Sequence, residues 1–203
     1  MLFDIMLFDI LQSFVTLLVI MDPFVSLPVL LSMTKGCPES HRKAMADRAT
    51  LIAGLIMLIF YISSLRIFDL MGITLPSFMV AGGIILLILG IQGALGISFK
   101  QSKQSKDVHV AAVIIGTPLI TGPGTITTLI VLVQQQGYLI TGIAGILALA
   151  VVWVVLRQAN FLYKKLGERT IEVFSRVMGL LVTALAIEFI SKGVWFLAMR
   201  PTP

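Results

Sequence analysis

Long apolar runs separated by short polar segments make up most of the chain. Each run is long enough to cross about 30 Å of hydrocarbon as a helix, which takes about 20 residues. Backbone amides and carbonyls inside a bilayer have to bond to each other, and a helix meets this need within one segment. The pattern therefore predicts an all-α membrane protein with six transmembrane helices, numbered as spans one to six. The spans cover residues 10–33, 46–65, 77–97, 109–133, 139–156 and 177–199.

The composition agrees with this prediction and leaves little room for anything else. Of the 203 residues, 58% are hydrophobic and 12% are charged, whereas a soluble domain usually carries about 25% charged residues. Six spans of about 20 residues use most of the chain, so only short loops remain. We predict a single transmembrane domain over residues 1–203, with no separate catalytic module.

The distribution of basic residues predicts how the chain is oriented. Twelve of the 15 lysines and arginines follow spans one, three and five, whereas Arg66 and Arg200 lie on the opposite side and Lys192 lies within span six. Because cytoplasmic loops carry an excess of basic residues, both termini are expected outside the cytoplasm. The basic residues are dispersed over three loops, so a nucleic-acid surface is not expected. The loop over 157–176 mixes apolar and charged residues and predicts a short interfacial helix.

The second half of the chain repeats the order of features in the first half. A shift of 100 residues places Asp22-Pro23 over Gly122-Pro123, and the run 83–92 is similar to 179–188. An odd number of spans leaves the chain on the opposite side, so the repeat has to be inverted, as in many secondary transporters. A duplication retained for folding alone is the alternative. The two inverted three-helix repeats are predicted over residues 10–97 and 109–199, joined by a cytoplasmic linker over 98–108.

Prolines five residues apart interrupt span one, at Pro23 and Pro28, and span four, at Pro118 and Pro123. Proline has no amide hydrogen, and its ring clashes with the carbonyl four residues earlier. Helices one and four are therefore predicted to be broken near mid-membrane. Proline kinks whose free carbonyls bond to neighbouring hydroxyls are the alternative.

A break of this kind suits a solute with two charged ends. Where a helix restarts, its first amide groups have no intrahelical partner and attract a carboxylate. Carbonyl groups freed before the break can accept hydrogen bonds from an ammonium group. The candidate substrate-binding residues are Asp22, Pro23, Phe24, Ser26, Pro28, Thr121, Gly122, Pro123, Gly124 and Thr125.

Two acidic residues lie deep within predicted spans. An ionised aspartate near the middle of a transmembrane helix costs about 2.5–3.5 kcal/mol on insertion scales, so Asp22 is expected to pair with a cation, to meet water, or to stay protonated and couple transport to protons. Capping the helix that restarts at Pro23 is an equally open structural role. Glu188 has Lys192 one turn later, which predicts a local ion pair, and its repeat partner Gln92 is neutral. The candidates for coupling or gating are Asp22, Glu188 and Gln92.

The chain offers few groups for metal binding or covalent catalysis. It has one cysteine and two histidines, and none of them lies in the middle of a span. A metal cluster or an intramembrane nucleophile with its base needs more than this, and no glycine-lysine phosphate-binding loop occurs. We therefore expect no metal, no cofactor and no enzymatic activity.

Four stretches, spread over both halves of the chain, match a known family. They are MDPFVSLPVLLSMT in span one, GITLPSFMVAGGIILLILGIQ before and within span three, GTPLITGPGTITTLI in span four and RVMGLLVTALAIEFISKG in span six. With these motifs the chain resembles the MarC family of prokaryotic membrane proteins, which includes the SnatA-type transporters. Phe24-Val25 stands where the family commonly has a glycine.

The resemblance implies a six-span protein of the cell inner membrane that carries glycine, alanine or similar small neutral amino acids. It implies a functional region at Asp22, Pro23, Ser26 and Pro28 and at residues 121–125. These are positions that the helix breaks also select.

The leading hypothesis is a secondary transporter of small neutral amino acids. The substrate would be held at mid-membrane between the two breaks, and access would alternate as one repeat moves against the other. Coupling to a proton or to sodium is left open, as is the oligomeric state. The alternatives are a transporter or channel for another small metabolite or ion, although a bare divalent cation usually needs several converging acids, and a structural membrane protein that transports nothing.

Overall fold

A computed structural model describes residues 2–34, 37–96 and 120–199. These residues form helices and short turns, with no β-strand among them, which confirms the all-α prediction. The predicted linker over 98–108 and the first half of span four, with Pro118, lie outside the described ranges. The helices are α1 (Leu2–Met21), α2 (Pro23–Met33), α3 (Glu39–Met71), α4 (Leu75–Leu95), α5 (Pro123–Arg157) and α6 (Ala159–Ala198).

Five stretches within the described ranges are long and apolar enough to cross a membrane. Predicted spans one, two, three and six each overlap one stretch, whereas span five and residues 124–133 of span four fall together in a single stretch. The count of six spans stays a prediction. The five stretches are Met6–Leu31, Glu39–Ser63, Leu75–Leu95, Gly124–Arg157 and Arg169–Ala198.

Local sequence signals determine both ends of α4. The Thr74 hydroxyl accepts a hydrogen bond from the Ser77 amide at 3.4 Å, and Pro76 occupies the first turn, where its missing amide hydrogen is no loss. Gly96 ends the helix with a φ of 68°, and its amide donates to carbonyl oxygens of the last turn. The 21 residues of α4 span about 31 Å, which matches the thickness of the hydrocarbon core.

The chain reverses within α5, at Gly137. This glycine has a φ of 82° and a ψ of 170°, which are not helical and which a residue with a side chain rarely adopts. The Thr121 hydroxyl donates to the Ala53 carbonyl, and the Leu149 side chain lies against the adjacent residue, Gly54. A continuous straight helix would hold Thr121 and Leu149 about 42 Å apart, so a reversal is needed to bring both to one level of α3. We call residues 123–136 the first arm of α5 and residues 138–157 its second arm.

The second arm of α5 runs antiparallel to α3. Near the start of α3, Asp47 accepts hydrogen bonds from Trp153 Nε1 at 2.7 Å and from Arg157 at 3.1 Å. Further along α3, the Tyr61 hydroxyl donates to the Tyr138 carbonyl at 2.7 Å. Hydrogen bonds at both ends therefore join α3 and the second arm into one body.

Small residues allow α4 and α6 to pack closely. A Cβ added to Gly83 would lie 3.0 Å from the Ala186 carbonyl oxygen, and one added to Gly90 would lie 2.9 Å from the Gly179 carbonyl oxygen. Glycine at these positions lets the two backbones approach each other, as at many helix contacts in membranes. The pair α4 and α6 is thus a second closely packed body.

The predicted interfacial helix over 157–176 spans the end of α5 and the start of α6. Within α6, Gly167 has a φ of 76° and a ψ of 160°, so the helix changes direction there. Leu162 and Leu166 pack against the protein core, whereas Phe161 is 58% exposed. One side of this segment is therefore part of the core and the other side faces outward.

Buried apolar side chains form two clusters, and α1 contributes to both. The first cluster joins α1, α2, α3, both arms of α5 and the start of α6 through residues such as Leu17 and Met57. The second joins α1, α4, the first arm of α5 and α6 through Ile20, Leu86 and Val131. The end of α1 therefore lies between the two closely packed bodies.

Candidate functional site

Asp22 separates α1 from α2 and caps the second helix. Its φ is 34°, in the left-handed region that aspartate tolerates better than most residues. The amides of Phe24 and Val25 both donate to Asp22 Oδ1, each at 3.2 Å. The Asp22 amide still donates to the Leu18 carbonyl, so the interruption is confined to one residue. The carboxylate serves as the N-cap of α2, which is the structural role that the sequence left open.

A second helix starts at Pro123, the first residue of α5. Gly122 precedes it in an extended conformation and provides no side-chain cap. Thr125 Oγ1 donates to the Ile120 carbonyl oxygen at 2.8 Å, and Thr121 Oγ1 donates to the Ala53 carbonyl oxygen at 3.1 Å. Both threonine side chains are buried. The first amides of α5 therefore begin without a side-chain cap, while hydroxyls bond to two carbonyls near by.

The two helix starts lie side by side. A Cβ added to Gly124 would lie 3.6 Å from Cγ2 of Ile20, two residues before Asp22. The same Cβ would lie 3.1 Å from Cγ of Leu86 on α4. In this conformation the Leu86 side chain fills the space beside Gly124.

From these starts, α2 and the first arm of α5 run in opposite directions. Just after α2, Thr34 Oγ1 accepts a hydrogen bond from Arg42 Nε at 2.8 Å, near the beginning of α3. The first arm of α5 leads instead to Tyr138, whose carbonyl bonds to Tyr61 further along α3. The amino ends of both helices carry partial positive charge, and they meet inside the core.

The remaining predicted residues at the first start are held within the protein. Phe24 stacks on Phe174 of α6 with ring centroids 5.2 Å apart and an interplanar angle of 18°. Ser26 is fully buried, and its hydroxyl donates to the Asp22 carbonyl oxygen at 3.4 Å. Pro28 lies within α2. The side chains of Pro28 and Pro123 are outside the described part of the structure.

Glu188 and Lys192 form the ion pair that their spacing predicts. Lys192 Nζ lies 3.0 Å from Glu188 Oε1, and the two side chains are 49% and 57% exposed, respectively. Both charges therefore lie on the outer surface of the helix bundle. The repeat partner Gln92 differs, because its Oε1 is buried and has no hydrogen-bond partner among the described residues.

An open cavity of about 360 Å³ lies next to this ion pair. The sequence did not predict it, and its lining residues come from the end of the first arm of α5 and from the last turns of α6. None of them belongs to the two helix starts. They are Gln135, Ser191, Lys192, Trp195 and Phe196.

Two buried hydroxyl groups were not recognised from the sequence. Ser13 in α1 and Thr141 in the second arm of α5 are fully buried, and neither hydroxyl has a hydrogen-bond partner within residues 2–34, 37–96 and 120–199. Elsewhere in the described residues, including α1 and α5 themselves, threonine hydroxyls donate to the carbonyl four residues earlier, the usual arrangement in apolar surroundings. These threonines are Thr16, Thr34, Thr50, Thr128 and Thr183.

Metal-binding side chains are not clustered in the described ranges. No group of three or more histidine, cysteine, aspartate or glutamate residues lies close enough there to hold an ion. The chemistry available at the two helix starts is that of backbone amides and carbonyls, hydroxyls and the single carboxylate of Asp22. Such groups bind a small polar solute by hydrogen bonds and charge.

Known membrane proteins are similar to this chain over most of its length. A family model described as MarC family integral membrane protein matches residues 7–197. A UPF0056 membrane protein of Archaeoglobus fulgidus is 32% identical over 90% of this chain and 90% of its own length. The UPF0056 inner membrane protein YhgN of Escherichia coli is 30% identical over 92% of this chain and 96% of its own length. No solved structure matches the chain.

Proposed function

Because the chain belongs to the MarC family of integral membrane proteins, we propose that it is a secondary transporter of small neutral amino acids such as glycine and alanine. The substrate binds near mid-membrane between the helix starts at Pro23 and Pro123, and access alternates between the two sides. The observation that carries this proposal is the meeting of two helix amino ends inside an apolar core. Helix amino ends at mid-membrane are a common feature of binding sites in secondary transporters.

The packing supports two inverted repeats. Each predicted span contacts its counterpart in the other half: α1 packs on the first arm of α5, α3 on the second arm, and α4 on α6. Gly83 approaches Ala186, and Gly90 approaches Gly179. The repeat alignment places Gly83 on Gly179 and Gly90 on Ala186, so it turns the first contact into the second. A two-fold axis in the membrane plane requires such a pair of equivalent contacts.

Each end of the substrate has its own partners. The first amides of α5, which Gly122 leaves without a side-chain cap, bind the carboxylate, and the dipole of the helix favours an anion there. Carbonyl oxygens near the two starts bind the ammonium group. The carboxyl group of Asp22, at the neighbouring start of α2, also attracts the ammonium group. The hydroxyls of Ser26, Thr121 and Thr125 complete the polar surroundings.

The space around Gly124 accounts for the preference for small side chains. Ile20 and Leu86 both lie within reach of a Cβ at this position, so a substrate with a long side chain would clash with them. Because Leu86 fills the space in the described conformation, α4 has to move away from α5 before the substrate can enter. The moving body is therefore the pair α4 and α6, one helix from each repeat, and it moves against α3 and the second arm of α5, in place of one whole repeat moving against the other.

The coupling ion and the membrane orientation belong to the same proposal. A proton or a sodium ion drives transport, with Asp22, Glu188 and Gln92 as the candidate coupling or gating residues.

Both termini lie outside the cytoplasm, in accord with the excess of basic residues after spans one, three and five. The protein resides in the cell inner membrane, as the name of the Escherichia coli relative says of that relative. A reporter enzyme that works only outside the cytoplasm should therefore be active when it is fused to the carboxyl terminus, and its inactivity there would contradict this orientation.

Uptake by reconstituted protein tests this function. Liposomes containing the purified protein and unlabelled glycine should accumulate labelled glycine or alanine by exchange, whereas liposomes without protein should not. Gly124→Ala should reduce exchange, because its Cβ would press on Leu86. Ile146→Ala is the control, because the Ile146 side chain is 72% exposed and so contributes little to the packing of the protein. Absence of exchange by the folded wild-type protein for every small neutral amino acid would contradict the proposal.

One observation favours the alternative of a structural membrane protein that transports nothing. Asp22 caps α2, and Thr125 bonds to the Ile120 carbonyl, so protein groups already satisfy part of each interruption. Under this alternative, Gly124→Ala lowers thermal stability, and neither the variant nor the wild-type protein exchanges amino acids. The same exchange assay therefore separates the two functions.

A further inference from the structure

The hydroxyls of Ser13 and Thr141 lie at the same level of two neighbouring helices. α1 continues into α2 toward Thr34 and Arg42, and the second arm of α5 leads toward Asp47, so both run toward the beginning of α3. The two helices are therefore parallel to each other. They touch where Leu17 Cδ1 reaches to 4.0 Å from the Cβ position of Gly145.

Ser13 and Thr141 each lie one turn before this contact. Ser13 is four residues before Leu17, and Thr141 is four residues before Gly145. Each therefore shares a helix face with the contact residue that follows it one turn later. Parallel helices in this register bring the two hydroxyl-bearing side chains to the same side of the interface. Both are fully buried there, and neither hydroxyl has a partner in the described part of the chain.

Thr141 departs from the usual behaviour of threonine in a helix. A threonine in an apolar helix normally donates to the carbonyl four residues earlier, which for Thr141 is that of Gly137, where the chain reverses. The Thr141 hydroxyl has no such bond among the described residues.

A fully buried hydroxyl without a hydrogen bond is unfavourable, and nearly all buried polar groups in proteins are paired with protein or water, so these two call for an explanation. Ser13 lies nine residues before Asp22, which places it about 14 Å along the helix from the first helix start. This is about half the thickness of the hydrocarbon core. Because the helix start lies near mid-membrane, the two hydroxyls lie near the edge of the hydrocarbon core on the Gly137 side.

We propose that the contact of α1 with the second arm of α5 is the gate on the Gly137 side of the membrane, and that Ser13 and Thr141 line a hydrated passage for a small polar solute when it opens. This inference rests on the proposed transport function. In the described conformation the gate is closed, and the unpaired hydroxyls make its closed form less stable than an apolar contact would be. Opening exposes both hydroxyls to water.

Cysteine labelling tests the passage directly. In a Cys37→Ser background, Ser13→Cys should react with a charged, membrane-impermeant thiol reagent from one side of the membrane only. Val131→Cys is the matched control, because Val131 is fully buried in the second apolar cluster between the helix start and Gly137. It should react at least about tenfold more slowly, and Thr141→Cys provides a second reporter should Ser13→Cys fail to fold.

Closing the gate more firmly should slow this labelling. Adding Thr141→Val to the Ser13→Cys protein should lower the reaction rate by about tenfold, because the change removes an unpaired hydroxyl from the closed contact. Thr50→Val is the control, since the buried Thr50 hydroxyl already bonds to the Ala46 carbonyl at 2.9 Å. It should leave the labelling rate unchanged.

The outcomes separate this inference from the proposed function. Equal, slow labelling of Ser13→Cys, Thr141→Cys and Val131→Cys from both sides overturns the gate, even if glycine exchange is observed. Labelling that is one-sided, fast and slowed by Thr141→Val supports the gate, even if the wild-type protein exchanges no amino acid and the proposed function fails.

Discussion

Asp22 combines three properties that substitutions can separate. Its carboxyl group is ionisable, its Oδ1 caps α2 through the amides of Phe24 and Val25, and its φ of 34° is left-handed. Asp22→Asn keeps the cap and tolerates the same φ while removing the charge. Asp22→Gly accepts the φ without a side-chain cap, and Asp22→Ala loses all three properties.

The free energies follow from these contacts. Losing the cap to alanine costs about 0.5–2 kcal/mol, and a left-handed alanine costs a further 1–2 kcal/mol or so. Asp22→Ala should therefore lower the free energy of unfolding by about 1.5–4 kcal/mol. Asp22→Gly should lose only a few tenths of a kcal/mol, and Asp22→Asn should match the wild-type protein.

Thermal unfolding in detergent, followed by tryptophan fluorescence, measures this order of stability. Glycine exchange in liposomes, measured on the same preparations, then isolates the charge. We expect Asp22→Asn to fold like the wild-type protein and to lose most of its exchange activity. Full activity of Asp22→Asn would mean that Asp22 is a cap alone, and wild-type stability of Asp22→Ala would refute the capping geometry itself.

Three further changes test the packing around the site. Tyr61→Phe should lower the free energy of unfolding by about 1 kcal/mol, since it removes the hydrogen bond to Tyr138 but keeps the edge-to-face ring contact; an unchanged melting curve would contradict this. Lys192→Met should reduce the amount of protein inserted in the membrane, because it leaves Glu188 unpaired there, and adding Glu188→Gln should restore the amount. Gly179→Ala should destabilise the fold, as its Cβ would lie 2.9 Å from a carbonyl oxygen of α4; a melting temperature equal to that of the wild-type protein would show that the backbones can separate.

Much of the helical framework could be predicted from the sequence. The family resemblance inferred from four motifs is confirmed by the match over residues 7–197. Span three, predicted over 77–97, is α4 at Leu75–Leu95, because Thr74 and Gly96 act as local caps. The Glu188–Lys192 pair was also predictable, since its members are four residues apart on one helix.

The candidate site was predictable only in its position along the chain. Helices begin at Pro23 and Pro123, as expected of a residue that suits the first turn. The sequence could not decide between a charge that meets a solute and a charge that caps a helix, and in the structure Asp22 caps α2. Nor did it indicate that Ser13 and Thr141 would be buried.

By itself, the sequence determined which segments are apolar helices and where helices begin and end, because hydrophobic length, prolines and caps act within a few residues. Only the tertiary structure decided which helix faces meet. Spans one and four carry apolar residues on nearly every side, so no periodicity marks the face that turns inward. The neighbouring starts at Asp22 and Gly122 and the level shared by Ser13 and Thr141 depend on contacts between residues far apart in the chain, whereas the reversal at Gly137 falls in the short connection that the sequence predicts between spans four and five.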